Sequence, residues 1–175
     1  MAGEKVEGVL DRRIADGTAD FTQGPAMTRE QALLAIETGM ALVRDAREAG
    51  FSLLATGEMG IGNTTTSSAV AAVLLGDPVE RMTGRGAGLS DAGLGRKLDA
   101  IRRGISRNRP NAEDALDVLG KLGGLDIAGL CGVFLGGARY RVPIVMDGFI
   151  SGVAALCAVR LCLKAEAAIF ASHAS

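Results

Sequence analysis

Apolar and polar positions divide the chain into helical stretches and short buried runs. Ahead of residue 28 there is no clear period, and Gly17-Thr18-Ala19-Asp20 and Gln23-Gly24-Pro25 are turn-forming combinations. From Thr28 onward, apolar Ala32, Leu33, Ile36, Met40 and Val43 recur at the spacing of one helix face. Thr28 with Gln31 fits a capping box at the start of this helix, and Gly50 fits its C-terminal cap. Phe51–Thr56 is a short apolar run bounded by glycines, the signature of a buried parallel strand. A loop over Gly57–Gly62 follows. Asn63 is then placed to cap a second helix, through Ala69, Val70, Val73 and Leu74 to Gly76, and Asp77-Pro78 forbids its continuation.

Thr83–Gly88 is a second glycine-rich loop. Ser90 or Asp91 caps the helix after it, whose apolar face is Leu94, Leu98, Ile101 and Ile105. Asn108–Asn111 is a turn around Pro110, and Asn111 is expected to cap a short helix reaching Lys121. Asp126 opens a further helix that runs through Ile127, Leu130, Val133 and Phe134 to Gly136-Gly137. Val142–Met146 reads as the next strand, with Pro143 belonging at its first position. A helix from Phe149 to Leu163 and a last strand over Ala167–Ala171 complete the pattern. Strands alternating with helices predict an α/β fold, a three-layer Rossmann-like parallel sheet with helices on both faces, as a single domain over residues 1–175. No strand precedes the first helix, and the last strand stops as it reaches its C-terminal edge, where such folds place their functional residues. A fold truncated at both ends is therefore expected.

Composition narrows the function classes. Hydrophobic residues at 48% and charged residues at 22% describe a globular chain, not a disordered one. Nineteen basic and twenty acidic residues give a net charge of −1, which supplies no basic field for nucleic acid. Aromatics are 3% and Trp is absent, so base-stacking platforms are not expected either. Cys131, Cys157 and Cys162 are an odd set without scaffold spacing and fit a reducing compartment. The first residues are too charged and too short for a signal peptide. The longest apolar stretch, Val153–Leu163, is broken by Arg160 and too short to span a bilayer. A soluble cytoplasmic protein is expected, with neither nucleic acid nor membrane as partner.

Glycine stands out, at 25 of 175 residues, about twice the usual share. Several fall in Gly57-Glu58-Met59-Gly60-Ile61-Gly62-Asn63-Thr64-Thr65-Thr66-Ser67-Ser68, between a strand and a helix N-terminus. Such a turn lets the backbone approach a ligand, and the free N–H groups and positive dipole end favour a phosphate. Hydroxyls from Thr64 to Thr66 are placed to add donors. Walker A spacing is present, but Asn63 stands where the lysine must be, which argues against NTP hydrolysis. The dinucleotide fingerprint fails because Gly60-Ile61-Gly62 is followed by Thr65. A tight turn whose glycines serve only packing is the plain alternative, although Glu58 is oddly placed for one. Glu58 and Asp147 both fall at C-terminal strand ends, where a carboxylate can hold ribose hydroxyls or act as a base. A cap or loop bond is the alternative for each, and for Asp147 helix capping stands on equal terms. Thr83-Gly84-Arg85-Gly86-Ala87-Gly88 is a second candidate anion nest. Lys97, two turns into the next helix, either reaches back to a phosphate or is a solvated surface lysine. His173, the only histidine, cannot make a metal site alone. Cys157 and Cys162 lie on an apolar helix and read as core residues.

These residues resemble the nicotinate-nucleotide:dimethylbenzimidazole phosphoribosyltransferase family. Gly57–Thr65 looks like its signature, and Gly17–Phe21 with Gln23–Met27 is similar to the stretch ahead of its first long helix. Thr83–Gly88 with Lys97, Met146–Phe149 and Ala171–His173 resemble further landmarks in the same order. The resemblance implies phosphoribosyl transfer from nicotinate mononucleotide to 5,6-dimethylbenzimidazole, with inversion, giving α-ribazole 5'-phosphate and nicotinate in cobalamin lower-ligand synthesis. It implies that Glu58 orients the ribose. Gly60, Gly62, Asn63, Thr64, Gly86 and Gly88 would bind the phosphate, Lys97 would supply its countercharge, and Asp147 would lie near the ribose. No metal or organic cofactor is implied, and a homodimer is. Family members are longer, and the glutamate in their Arg-Leu-Gly-Glu-Gly-Thr-like motif, the general base, has no counterpart in this sequence. A non-catalytic nucleotide-binding module, or a truncated remnant, is the alternative.

Overall fold

The first long helix, α1 (Arg29–Glu48), starts where the sequence predicts. Thr28 Oγ1 accepts from the Gln31 N–H at 3.2 Å, and the Thr28 N–H donates to Gln31 Oε1 at 2.9 Å, a complete capping box. This is a computed structural model, and it describes residues 7–86 and 88–173. After α1 come β1 (Leu54–Ala55), α2 (Thr64–Leu75), α3 (Val79–Met82), α4 (Asp91–Asn108), α5 (Ala115–Leu122) and α6 (Leu125–Tyr140). The chain then forms β2 (Ile144–Met146), α7 (Phe149–Leu161), a 3-10 segment (Leu163–Ala168) and β3 (Ile169–Ala171).

The three strands form one parallel sheet in the order β1-β2-β3. The α/β class and the parallel sheet are as the sequence predicts. Leu54, Ile144 and Ile169 share one row of the sheet, and Ile144 is fully buried. Helices α6 and α7 pack against β2 and against each other. One residue further along, Ala55, Val145 and Phe170 face the opposite way. Ala55 and Phe170 are exposed there, as are Phe51 and Leu53 ahead of β1. The predicted first strand is thus shorter in the structure, because pairing begins only where the Leu54 N–H reaches the Pro143 carbonyl.

Glycines join the longest helix contact. A Cβ on Gly39 would lie 2.0 Å from the Gly129 carbonyl oxygen, and one on Gly132 would lie 2.0 Å from that of Ile36. Helices α1 and α6 therefore touch backbone to backbone, which only glycine permits. Gly129 and Gly152 carry no such constraint, since a Cβ at either meets nothing nearer than 3.9 Å.

Several local expectations change. Asp114, not Asn111, caps α5, accepting from the Leu116 and Asp117 N–H groups. Asn111 instead accepts from the Glu113 N–H within its own turn. Helix α6 begins at Leu125 with Gly124 as its cap and α3 is an added turn, while Ser90, one of the two expected residues, does cap α4. Helix α7 ends at Leu161, so Cys162 is exposed instead of lying in the core, whereas Cys131 and Cys157 are buried. Among the described residues, no helix is long and apolar enough to cross a membrane.

Candidate functional site

The loop that leaves β1 at its carboxyl end, α2, the loop after α3, α4 and the first residues of α7 meet around a cavity of about 610 Å³. Its walls include Glu58, Gly60, Thr64, Gly86, Lys97 and Phe149. Another cavity, of about 570 Å³, lies between the Gly17–Gln31 segment and α5. No strand-end residue lines it, and its Lys121 is paired with Asp117 at 2.8 Å.

Lys97 distinguishes the first cavity. Its spacing on α4 turns it inward, and only 7% of its surface is exposed. Its Nζ donates to Thr64 Oγ1 at 3.1 Å and to the Gly84 carbonyl at 3.0 Å. Among the described residues no carboxylate pairs with it, and burial lowers its pKa from the ordinary lysine value. A buried ammonium held only by neutral acceptors is costly unless an anion joins it.

Backbone geometry around Lys97 suits such an anion. Gly86 has a φ of 55° and Gly60 a φ of 71°, the left-handed region that glycine enters without strain. A Cβ on Gly86 would also sit 3.4 Å from Thr64 Oγ1 and 3.9 Å from Lys97 Nζ, filling the space beside the charge. Helix α2 carries no side-chain cap, so its first N–H groups are left for another acceptor. The two glycine loops singled out in the sequence therefore converge on one lysine. A neighbouring cavity of about 430 Å³ shares Gly60, Thr64, Gly86 and Lys97, and it adds Gly88, Arg85 and Arg96.

Glu58 is half-buried at the rim. Its Oε2 accepts from the Gly60 N–H and, at 3.3 Å, from Asn63 Nδ2. Asn63 is buried, and its side chain does not cap α2. Neither it nor Gly62 is among the residues lining these cavities. Asp147 lies at an adjoining cavity of about 180 Å³, which shares Met82 and Phe149 with the main one and also touches His173. Its side chain does not cap α7, whose cap is Gly148. The Asp147 N–H donates to Thr56 Oγ1 at 3.3 Å, tying the ends of β1 and β2 together. The sequence does not reveal the Gly84 carbonyl, Met82 and Phe149 as parts of the site, nor the hydrogen bond from Asn63 Nδ2 to Asp126 Oδ2. Met82 belongs to α3, which carried no periodic signal. Asp126 had one available signal, its place in the first turn of a helix, but not its partner 63 residues away. Among the described residues no group of three or more His, Cys, Asp or Glu side chains is arranged to hold a metal ion.

Fold and cavity place the chain among α/β proteins whose cavity opens at the carboxyl ends of parallel strands. A family model described as phosphoribosyltransferase matches residues 1–175. The chain is 53% identical over 169 residues to nicotinate-nucleotide--dimethylbenzimidazole phosphoribosyltransferase of Acetivibrio thermocellus, covering 97% of this chain and 48% of that protein. It is 54% identical over 164 residues to the protein of that name from Roseiflexus castenholzii, covering 94% of this chain and 46% of the relative. The crystal structure of CobT from Thermus thermophilus superposes with a TM-score of 0.91 at 39% identity, covering 99% of this chain and 52% of that one. The chain belongs to this phosphoribosyltransferase family. It spans about half the length of the curated relatives it matches.

Proposed function

We propose that the Lys97 cavity binds nicotinate mononucleotide, and that the chain supplies the donor half of phosphoribosyl transfer to 5,6-dimethylbenzimidazole. The observation that carries this reading is the buried Lys97 ammonium, without a carboxylate partner among the described residues, between two glycine loops and an uncapped helix start. A phosphate there gains the lysine charge, the Thr64 hydroxyl and backbone N–H groups together. The relatives' names carry a nicotinate nucleotide and dimethylbenzimidazole, which supports this choice of donor and acceptor. Family membership and the 0.91 superposition make the same pairing the best-supported one here.

In this reading Glu58 orients the sugar. Its Oε2 is fixed by Gly60 and Asn63, which leaves Oε1 to accept from a ribose hydroxyl. The carboxylate also opposes the positive charge that builds on the anomeric carbon as the bond to nicotinate breaks. The azole nitrogen takes over that carbon from the opposite face, nicotinate leaves with the bonding pair, and the azole loses its N–H proton. The glutamate that the family resemblance assigns to that proton has no counterpart among these 175 residues. Binding is accordingly the activity these residues carry, and turnover by this chain alone is expected to be very low.

Calorimetry with nicotinate mononucleotide tests the reading. The wild-type chain binds it, Lys97→Ala lowers affinity about a hundredfold, and Glu58→Ala lowers it about tenfold. A wild-type chain that gives no heat of binding at millimolar nucleotide sinks the proposal. Robust turnover with dimethylbenzimidazole would mean that a residue of this chain takes the azole proton, with Glu58 the first suspect.

A further inference from the structure

Asn63 occupies the cap position of α2, yet its side chain does not cap the helix. Its Nδ2 donates to Asp126 Oδ2 at 2.8 Å and to Glu58 Oε2 at 3.3 Å. A primary amide nitrogen carries two protons, so both bonds form at once. Asn63 is only 7% exposed, and its Oδ1 is buried with no hydrogen-bond partner among the described residues. The amide is therefore held by its nitrogen at the expense of its oxygen. Turning it over would aim Oδ1 at two carboxylates. Asp126 lies in the first turn of α6, where the helix dipole favours a carboxylate. Gly124, at the cap, makes room for it, since a Cβ there would stand 2.4 Å from Asp126 Oδ1.

We infer that Asp126 is a positioning residue for Glu58, acting through the Asn63 amide. Asp126 anchors one N–H of Asn63, so the other is aimed at Glu58 and holds its Oε2 in place. The start of α6 thereby fixes a carboxylate on the loop after β1. This inference rests on the reading that Glu58 orients the ribose while Lys97 holds the phosphate, and that division of labour gives it a specific signature.

The test compares nicotinate mononucleotide with inorganic phosphate, by calorimetry, on the whole chain. Asp126→Ala weakens the nucleotide about tenfold and leaves inorganic phosphate unchanged. Asp126→Asn, whose side-chain oxygen still accepts from Asn63, recovers most of that loss. In a Glu58→Ala background, Asp126→Ala adds nothing further. Nucleotide affinity unchanged in Asp126→Ala overturns the inference, as does an additive effect in the Glu58→Ala background. Equal loss of both ligands with a lowered melting temperature in both Asp126 variants would show a merely structural residue and overturns it too. A wild-type chain that binds phosphate but not the nucleotide overturns the ribose reading and this inference with it, an outcome distinct from failure of the Asp126 variants alone.

Discussion

Lys97 sets the electrostatics of the site. Burial among neutral acceptors lowers its pKa, so in the ligand-free chain the charged form is a cost to the folded state. Between the lowered folded value and the ordinary 10.5, the unfolded chain binds more protons, and stability of the ligand-free chain rises with pH across that window. A bound phosphate reverses the preference, because its charge favours the ammonium. On the proposed reading, affinity for nicotinate mononucleotide is therefore expected to decline as pH rises through the lysine's lowered value, before 10.5 is reached. Lys97→Arg keeps its charge and gives a flat profile over the same range. Calorimetric titrations at stepped pH check this, and a flat wild-type profile would show that the lysine charge is not what holds the phosphate. The candidacy of Lys97 was legible as a lysine two turns past a glycine loop. Its burial was not, because inward orientation depends on how α4 packs against α2. Asn63 shows the converse. The sequence marks it as a cap, and the structure uses its amide elsewhere, since Glu58 and Asp126 compete for its N–H groups more strongly than the helix competes for its oxygen.

At the scale of elements, the contact between α1 and α6 is the one most exposed to a single methyl group. Gly132 faces the Ile36 carbonyl so closely that an alanine forces the helices apart, whereas Gly129, three residues earlier, has room. Gly132→Ala is expected to cost about 3 kcal/mol through overpacking. Gly129→Ala is expected to be neutral or to stabilise by up to about 1 kcal/mol, because alanine is the better helix former. Urea denaturation separates the two: the midpoint falls for Gly132→Ala and holds or rises for Gly129→Ala. Equal midpoints for the two variants would contradict the backbone contact. Long helices with a 3.6-residue period and a capping box, such as α1, were readable in the sequence to within a residue or two. The strands were readable only as apolar runs. Their paired lengths of two and three residues are set by which backbone groups meet across the sheet, and Phe51–Leu53 fail to meet any. The turn at Val79–Met82 has no period to read, and Asp114 displaced Asn111 as a cap because both residue types make the same local bonds.

For the whole molecule, the alternation of strands and helices made the parallel sheet predictable, and the glycine loops placed the site at its carboxyl edge. What the alternation could not convey is that one cavity gathers side chains from the loop after β1, from α2, from the loop after α3 and from α4. With Phe149 and Ile150 at the start of α7, the lining residues are up to 92 positions apart in sequence, from Glu58 to Ile150, and they come together only in the folded chain. A ligand bound by all of them binds the native state and not the unfolded one, so it stabilises the fold by mass action. At a concentration of 100 Kd, nicotinate mononucleotide should add about 2.7 kcal/mol. For a domain of this size that corresponds to a rise in melting temperature of about 5–10 °C. At the same nucleotide concentration Lys97→Ala, bound about a hundredfold more weakly, is then at about its own Kd and should keep only about 0.4 kcal/mol, a rise of about 1 °C. Thermal denaturation followed by circular dichroism measures both. If calorimetry shows saturation of the wild-type chain while its melting temperature stays fixed, the nucleotide is held by some element that survives unfolding, and a site assembled from distant loops around Lys97 is ruled out.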